Sequence, residues 1–172
     1  TYGSAYTCRQ LAERAMTDAR LPLTRLPTTP YPQLGEKLNR FLGCLAISSD
    51  IEVPLARRAS LKTAIARDVP IRPGLEPMAK FFEGAGAGCC PIADAMQDLQ
   101  ALGFRDGETA LTFRTHAELV DKLQAALATP EALRNMGAAA ARLAHAQHTW
   151  IHRARTLRDV LSRRLQLDVT PR

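Results

Sequence analysis

Short apolar runs that alternate with helical segments constrain the fold of this chain more than any other feature. Phe41–Ser48 and Cys89–Ala93 are too short for buried helices and are followed by polar residues, which is typical of buried strands. Thr109–Phe113 alternates in polarity, as a third strand would. Because helical segments separate these runs, they favour a parallel sheet with helices on both faces. We therefore predict one α/β domain over residues 1–172.

Further segments extend this pattern. Leu21–Leu26 and Val69–Ile71 are candidates for two more short strands. Five helices are predicted before the last third of the chain: Thr7–Arg20, Gln33–Arg40, Val53–Arg67, Glu76–Gly86 and Ala95–Leu102. Ligands of parallel sheets bind outside the carboxyl ends of the strands, so we expect the functional residues in the loops that follow the strands.

The last third of the chain is predicted to be helical, over residues 114–165. Thr115 and Glu118 form a capping box, in which a hydroxyl and a carboxylate satisfy free amides at the helix start. Thr129-Pro130 and Thr149 mark the starts of two more helices. We expect packing or structural roles for four side chains near the last start: His145, His148, Trp150 and His152.

The charge of the chain favours an anionic partner. The net charge is +6 and the isoelectric point is near 9.5, which suits nucleotide phosphates, nucleic acid or an acidic membrane face. Aromatic residues make up only 5% of the chain and are scattered, too few for a base-stacking platform, so we do not expect nucleic acid to be the partner. No apolar run reaches the length of about 18 residues that predicts a membrane span.

The four cysteines show no pair at metal-ligand spacing. Cys8, Cys44, Cys89 and Cys90 lack a C-x-x-C arrangement, and we interpret them as reduced, structural residues of a cytoplasmic protein. His145 and His148 alone are too few ligands to predict a metal site. We therefore expect neither a metal nor another cofactor.

The stretch Pro77–Asp94 holds the main candidates for a binding site. Lys80 and Glu83 are three residues apart, so they share one helix face. The small residues that follow permit a close approach of the backbone to a ligand or to a strand. Packing and helix termination are the alternative roles for three of them, Gly84, Gly86 and Gly88. Likewise, Lys80 and Glu83 would in the simplest case form only a surface ion pair.

An ordered series of short motifs over Pro73–Leu161 resembles the carboxy-terminal half of GT-B glycosyltransferases of the group one type. The motifs are Lys80-Phe81-Phe82-Glu83, the small residues to Cys89, Asp106-Gly107-Glu108 with Leu111, Glu118-Leu119, and His148-Thr149-Trp150 with Arg153. The resemblance implies a Rossmann-like domain that binds a nucleotide-activated sugar. The amino-terminal, acceptor-binding half of that architecture would be absent, so we expect this chain alone to be inactive.

The resemblance also assigns roles to residues. Glu83 would approach the ribose hydroxyls of a UDP or GDP sugar, and Lys80 would meet the diphosphate without a metal ion. Glu108 would contact a sugar hydroxyl, or would only form a turn. Arg58 and Lys62, on the predicted Val53–Arg67 helix, would capture the diphosphate, or would belong to a solvated helix face.

The leading prediction is a donor-binding domain of a glycosyltransferase that transfers a sugar to an unknown acceptor, with retention or inversion left open. The alternative is a non-catalytic binding module with a GT-B-like half-fold that uses its basic surface on an acidic partner. A sugar-nucleotide epimerase is a third, less favoured possibility.

Overall fold

The structure, a computed structural model, describes residues 7–47 and 77–165. These two ranges contain three strands: β1 (Gly43–Leu45), β2 (Cys90–Asp94) and β3 (Leu111–Phe113). They also contain seven helices: α1 (Thr7–Asp18), α2 (Tyr31–Leu38), α3 (Ala79–Gly86), α4 (Gln97–Ala101), α5 (His116–Ala128), α6 (Pro130–Gln147) and α7 (Trp150–Leu165).

The three strands form one parallel sheet in the order β1-β2-β3. Where β1 pairs with β2, Leu45 is opposite Ile92, and where β2 pairs with β3, Ile92 is opposite Leu111. All five residues of β2 are buried, as expected for the central strand of a sheet that helices cover on both sides. The α/β class and the parallel sheet predicted from the apolar runs are therefore confirmed.

Helices cover both faces of this sheet. Side chains alternate along β2, so that Ile92 and Ala93 belong to opposite layers. The layer of Ile92 contains residues of α1, α5 and the start of α6: Leu11, Ala12, Met16, Leu119, Leu123, Leu133 and Met136. The layer of Ala93 contains residues of α3, α4 and the end of α6: Phe81, Ala85, Leu99, Ala140 and Ala144. A smaller cluster joins α2 to the sheet through Leu38, Cys44 and Cys89.

The start of α5 confirms the predicted capping box. The amide of Glu118 donates to Thr115 Oγ1 at 3.0 Å, and Glu118 Oε2 accepts from the amide of Arg114 at 2.7 Å. The carboxylate therefore reaches the amide one residue before the cap. Both contacts satisfy amides that have no partner within the helix.

One predicted strand is wrong. Leu21–Leu26 has no strand in the structure, although three of its leucines are half-buried against the hydrophobic clusters. Pro22 removes one backbone donor, and the segment packs through side chains without joining the sheet. The predicted strand Val69–Ile71 and the predicted helix Val53–Arg67, with Arg58 and Lys62, lie outside the described residues.

Candidate functional site

Helix α3 carries the two main candidates, Lys80 and Glu83. Its last residue, Gly86, is only a short turn before β2, so α3 runs antiparallel to the strands. Its first turn therefore points to the edge where the parallel strands end, which is the binding edge of such sheets. Met78 precedes the helix with extended backbone and makes no side-chain hydrogen bond to the first-turn amides.

Lys80 is a half-buried side chain in the first turn of α3. Burial lowers its pKa to about 8, and the nearby guanidinium of Arg9 acts in the same direction. The carboxylates of Asp94 and Glu13 oppose this in part. Lys80 therefore lies among charges from α1 and from the carboxyl end of β2, where its ammonium is less favoured than in water.

Glu83 is half-buried and borders two cavities. The first has a volume of about 460 Å³ and lies between α3 and the junction of α6 with α7, where Phe82, Trp150 and Arg153 also line it. The second has a volume of about 380 Å³ and lies between α3 and α2. Tyr31 lines both cavities together with Glu83. Glu83 thus borders a cavity on each side of its helix.

The charges of both candidate residues affect the pKa of the buried thiol of Cys44 on β1. Burial raises the pKa of Cys44 to about 11, while the charge of Lys80 lowers it and the charge of Glu83 raises it. Helix α3 packs on this strand at Gly84, where an added Cβ would come within 2.9 Å of Cys44 Cβ. The fold therefore brings Lys80 and Glu83 together on the part of α3 that covers β1.

Two of the three glycines after Glu83 have structural roles, one in packing and one in helix termination. Gly84 permits the close approach to Cys44, and Gly88 has a φ of +86°, which favours glycine. The amide of Cys89 donates to the carbonyl of Gly84 at 3.0 Å and thereby ends the helix. Gly86 is different, because a Cβ added there would meet no atom within 4 Å, and it lines the cavities beside Glu83.

Glu108 lies apart from this group of charges. It belongs to the turn that enters β3 at its amino end, its side chain is 66% exposed, and its carboxylate is 3.8 Å from Arg105. It lines neither of the two cavities that Glu83 borders. Lys80 also lines neither cavity, although it is on the same turn of α3 as Glu83, so among the predicted site residues that the structure describes Glu83 alone borders the cavities.

The neighbouring Asp106 holds this turn in place. Lys122 Nζ donates to Asp106 Oδ2 and to the carbonyl of Thr112, each at 2.7 Å, and is 2.9 Å from Glu118 Oε1. Burial alone would raise the pKa of Asp106, but the hydrogen bonds from Lys122 and from the amide of Thr112 outweigh it and lower the pKa. The Asp-Gly-Glu motif thus contributes to the structure of the turn.

The junction of α6 with α7 forms one wall of the first cavity. His148 Nε2 is 2.9 Å from the carbonyl oxygen of Leu102, and Arg153 Nη2 donates to His148 Nδ1 at 3.0 Å. The imidazole also packs against Phe82 and Phe104, with ring centres 5.5 and 5.4 Å away. These contacts require a neutral ring with its proton on Nε2, which confirms a structural role for His148.

We expect the stability of the protein to fall below pH 6.5 because of His148. Burial lowers the pKa of His148 from 6.5, and the charge of Arg153 adds to this, so the folded state favours the neutral ring. The stabilisation is present above pH 6.5 and is lost as the pH falls through the pKa of the folded state. A His148→Phe variant should lose about 2 °C less in Tm than the parent between pH 7 and 5.

Thermal unfolding followed by circular dichroism at several pH values measures this difference. His145→Gln is the control, since His145 is exposed and is held by one contact to the carbonyl of Gly86. If the pH profile of His148→Phe coincided with that of the parent, His148 would not be the group that titrates.

The predicted role of Trp150 as a packing anchor is wrong. Its side chain is 76% exposed and lines the first cavity, and no residue of α7 is buried. Three residues that surround the site were not assigned to it from the sequence: Arg9, Tyr31 and Asp94. Arg9 and Glu13 are spaced for a helix ion pair, which is 3.0 Å long here, and Asp94 ends an apolar run, but nothing local distinguishes Tyr31.

The described residues, 7–47 and 77–165, contain no group of three His, Cys, Asp or Glu side chains arranged to hold a metal ion. None of the helices in these ranges combines the length and the apolar character that crossing a membrane requires.

Comparison with known proteins identifies the class to which this α/β domain belongs. The family model described as glycosyl transferase-like matches residues 29–159, which is more than half of the chain. The chain therefore belongs to this glycosyl transferase-like family, and the membership supports a glycosyltransferase-type function. Searches of curated proteins and of solved structures find no match.

Proposed function

We propose that this domain binds a nucleoside-diphosphate sugar and is the donor-binding, carboxy-terminal half of a GT-B glycosyltransferase. The observation that carries the proposal is the position of Glu83, a half-buried carboxylate beside two cavities and one turn along α3 from a half-buried lysine. Family membership supports the sugar-transfer class. The alternative donor chemistries, UDP and GDP, differ only in the base.

Glu83 is suited to bind the ribose. A carboxylate accepts two hydrogen bonds from neighbouring hydroxyls, which matches the 2′ and 3′ positions of a nucleotide. The cavity of about 460 Å³ beside it is within the usual range of small-molecule sites. Aromatic side chains of Tyr31 and Phe82 in the same cavity offer apolar surface to a ring.

Lys80 and the first turn of α3 are suited to bind the diphosphate. The amides at the start of a helix, together with its dipole, favour an anion, and here no side chain of Met78 caps them. An ammonium in the same turn adds a compact positive charge that stabilises a leaving nucleoside diphosphate. This arrangement requires no metal ion. Arg58 and Lys62 remain candidates for further phosphate contacts, whereas the exposed Glu108, which lines neither cavity, fits its alternative role in the turn.

The reaction also requires an acceptor site. In a GT-B enzyme the acceptor binds to the amino-terminal domain, so we propose an upstream acceptor-binding domain as the partner of this one, acting in the cytoplasm. On its own, the 172-residue chain is expected to bind the donor without transferring the sugar.

Thermal shift with nucleoside diphosphates tests the proposal. At a concentration of about 100 times Kd, UDP or GDP should stabilise the folded chain by about 2.7 kcal/mol and raise its Tm by several degrees. Glu83→Gln keeps the size of the side chain, removes its charge and should remove most of this rise. Glu131→Gln is the matched control, because Glu131 is an exposed helix residue paired with Arg134 at 3.1 Å.

Two results would count against the proposal. No Tm rise with any nucleoside diphosphate would favour the non-catalytic basic module. A full rise in Glu83→Gln would show that nucleotides bind elsewhere on the chain.

A further inference from the structure

The fold gathers three aromatic side chains from distant parts of the chain on one cavity. The chain has only five phenylalanines, three tyrosines and one tryptophan. Three of these residues, Tyr31, Phe82 and Trp150, line the cavity of about 460 Å³ that Glu83 borders. Tyr31 and Trp150 are the first residues of α2 and α7, and Phe82 lies on α3. The packing of these helices therefore gives the cavity more aromatic surface than the composition of the chain suggests.

The rings of Tyr31 and Trp150 are open to a ligand. Tyr31 is 64% exposed and Trp150 is 76% exposed. Of the residues that the structure describes, no other aromatic ring and no cation packs on either of them. Phe82 differs, because its ring packs edge to face against Phe81 and Phe104, with ring centres 5.6 and 6.0 Å away. Tyr31 and Trp150 are thus the two side chains that can offer a free aromatic face to the cavity.

Arg153 adds hydrogen-bond donors to the same wall. It is three residues after Trp150, so the two side chains are neighbours on one face of α7, and both line the cavity. Its guanidinium is held in place, since Cζ is 5.7 Å from the ring centre of Phe82 and Nη2 donates to His148 Nδ1 at 3.0 Å. A guanidinium has five N–H donors, so others remain for a ligand.

We propose that the base of the nucleotide stacks on Trp150, with Tyr31 as a second aromatic contact and Arg153 as a donor to a carbonyl oxygen of the base. The inference rests on the proposed function, since Glu83 binds the ribose of the same nucleotide. Uracil and guanine both carry a carbonyl group, and stacking on an aromatic side chain suits every base because each has a π face. The site therefore accepts either UDP or GDP.

The charges of the cavity favour a nucleoside over an apolar protein surface as its occupant. An apolar surface that covered Glu83 and Arg153 would remove both charges from water without replacing their hydrogen bonds, which is costly. A nucleoside offers hydroxyls to the carboxylate, a carbonyl oxygen to the guanidinium and a planar ring to Trp150. One ligand thus matches all three kinds of group that line this cavity together.

The only tryptophan of the chain provides a direct test. Because Trp150 is the single source of tryptophan fluorescence, UDP and GDP should quench that fluorescence in the 172-residue chain. The quenching should saturate over the same concentrations that raise Tm. Inorganic pyrophosphate and ribose 5-phosphate carry the charge or the sugar without a base, and they should leave the fluorescence unchanged.

Variants measure the contribution of each ring by calorimetric titration. Trp150→Ala should weaken the binding of UDP and GDP about tenfold, whereas Trp150→Phe keeps a smaller ring and should lose only about threefold. Tyr31→Ala should lose about threefold as well. Ile151→Ala is the matched control, because Ile151 is the next residue of α7, is 63% exposed and does not line the cavity. It should bind as the parent does.

Three outcomes would overturn the proposal. The first is a rise of Tm with UDP or GDP that leaves the fluorescence of Trp150 unchanged. The second is equal affinity of Trp150→Ala and the parent for both nucleotides. The third is quenching by a UDP sugar but not by UDP, which would place the sugar and not the base on Trp150.

Failure of this proposal is distinguishable from failure of the proposed function. In each of these three outcomes, nucleotides would still raise Tm, and Glu83→Gln would still remove most of the rise. Binding of the donor would then stand, with its base elsewhere. If no nucleoside diphosphate raised Tm or quenched the fluorescence, both proposals would be wrong.

Discussion

Gly137→Ala is expected to destabilise the protein by about 3 kcal/mol, which lowers Tm by about 10 °C in a chain of this size. Gly137 is buried in the middle of α6, where the helix crosses the entry to β2. A Cβ there would collide with the carbonyl oxygen of Gly88 and would lie 3.0 Å from the amide nitrogen of Cys90. Both obstacles are backbone atoms of the segment that leads into the central strand. The helix would have to move away from the sheet.

The control for this prediction is a glycine in an open helix position. Gly35 in α2 has no atom within 4 Å of its added Cβ, so Gly35→Ala should raise the free energy of unfolding by about 0.5–1 kcal/mol. Urea unfolding followed by circular dichroism measures both variants. The same small stabilisation in both would mean that α6 does not approach β2 as closely as the structure shows.

Lys80→Met is expected to stabilise the free protein and to weaken nucleotide binding. Because the pKa of Lys80 is lowered to about 8 by burial and by Arg9, the folded state disfavours its ammonium. Removing that charge at pH 7 should raise Tm by about 2–4 °C. If Lys80 binds the diphosphate as proposed, affinity for UDP or GDP should fall about thirtyfold, as expected for a lost charged hydrogen bond of about 2 kcal/mol.

The pH dependence of the parent follows from the same shift. The destabilising effect of Lys80 is present below about pH 8 and is relieved as the pH rises towards the ordinary value of 10.5, because only the unfolded state then retains the proton. Nucleotide affinity should fall as the pH rises through 8, since the lysine loses its charge. Lys80→Met should show neither change.

Lys37→Met is the matched control, a half-buried lysine on α2 that is 3.4 Å from Thr29 Oγ1. It should leave nucleotide affinity unchanged. A loss of stability in Lys80→Met would instead support the simpler role of Lys80 as one partner of a structural ion pair. Calorimetric titration and thermal unfolding at pH 7 and pH 9 together separate the two roles.

Much of the architecture was predictable from local patterns. The apolar run Cys89–Ala93 predicted β2 to within one residue, and the box of Thr115 and Glu118 predicted the start of α5. Both depend on interactions between residues close in the chain, namely the alternation of side chains along a strand and the satisfaction of amides at a helix end. The segment Leu21–Leu26 shows the limit, because its leucines pack against the core without a neighbouring strand.

The candidate site was predictable only as a pair of residues. The spacing of Lys80 and Glu83 placed both on one helix face, and the structure places them on the part of α3 that covers β1. The cavities beside Glu83 depend on Tyr31 and on the α6–α7 junction, which are distant from it in the chain. No local pattern reports such distant neighbours.

The layers of this protein follow from its amino-acid pattern alone, since the periods of the apolar residues fix which side chains face the sheet. Three other properties arise from the packing of distant segments: the lowered pKa of Lys80 beside Arg9, the need for glycine at 137 against the backbone of Gly88, and the exposure of Trp150. Each of these properties depends on how close in space two segments lie that are far apart in the chain. Electrostatic and steric energies depend on those distances in space, which helix and strand periodicity leaves undetermined.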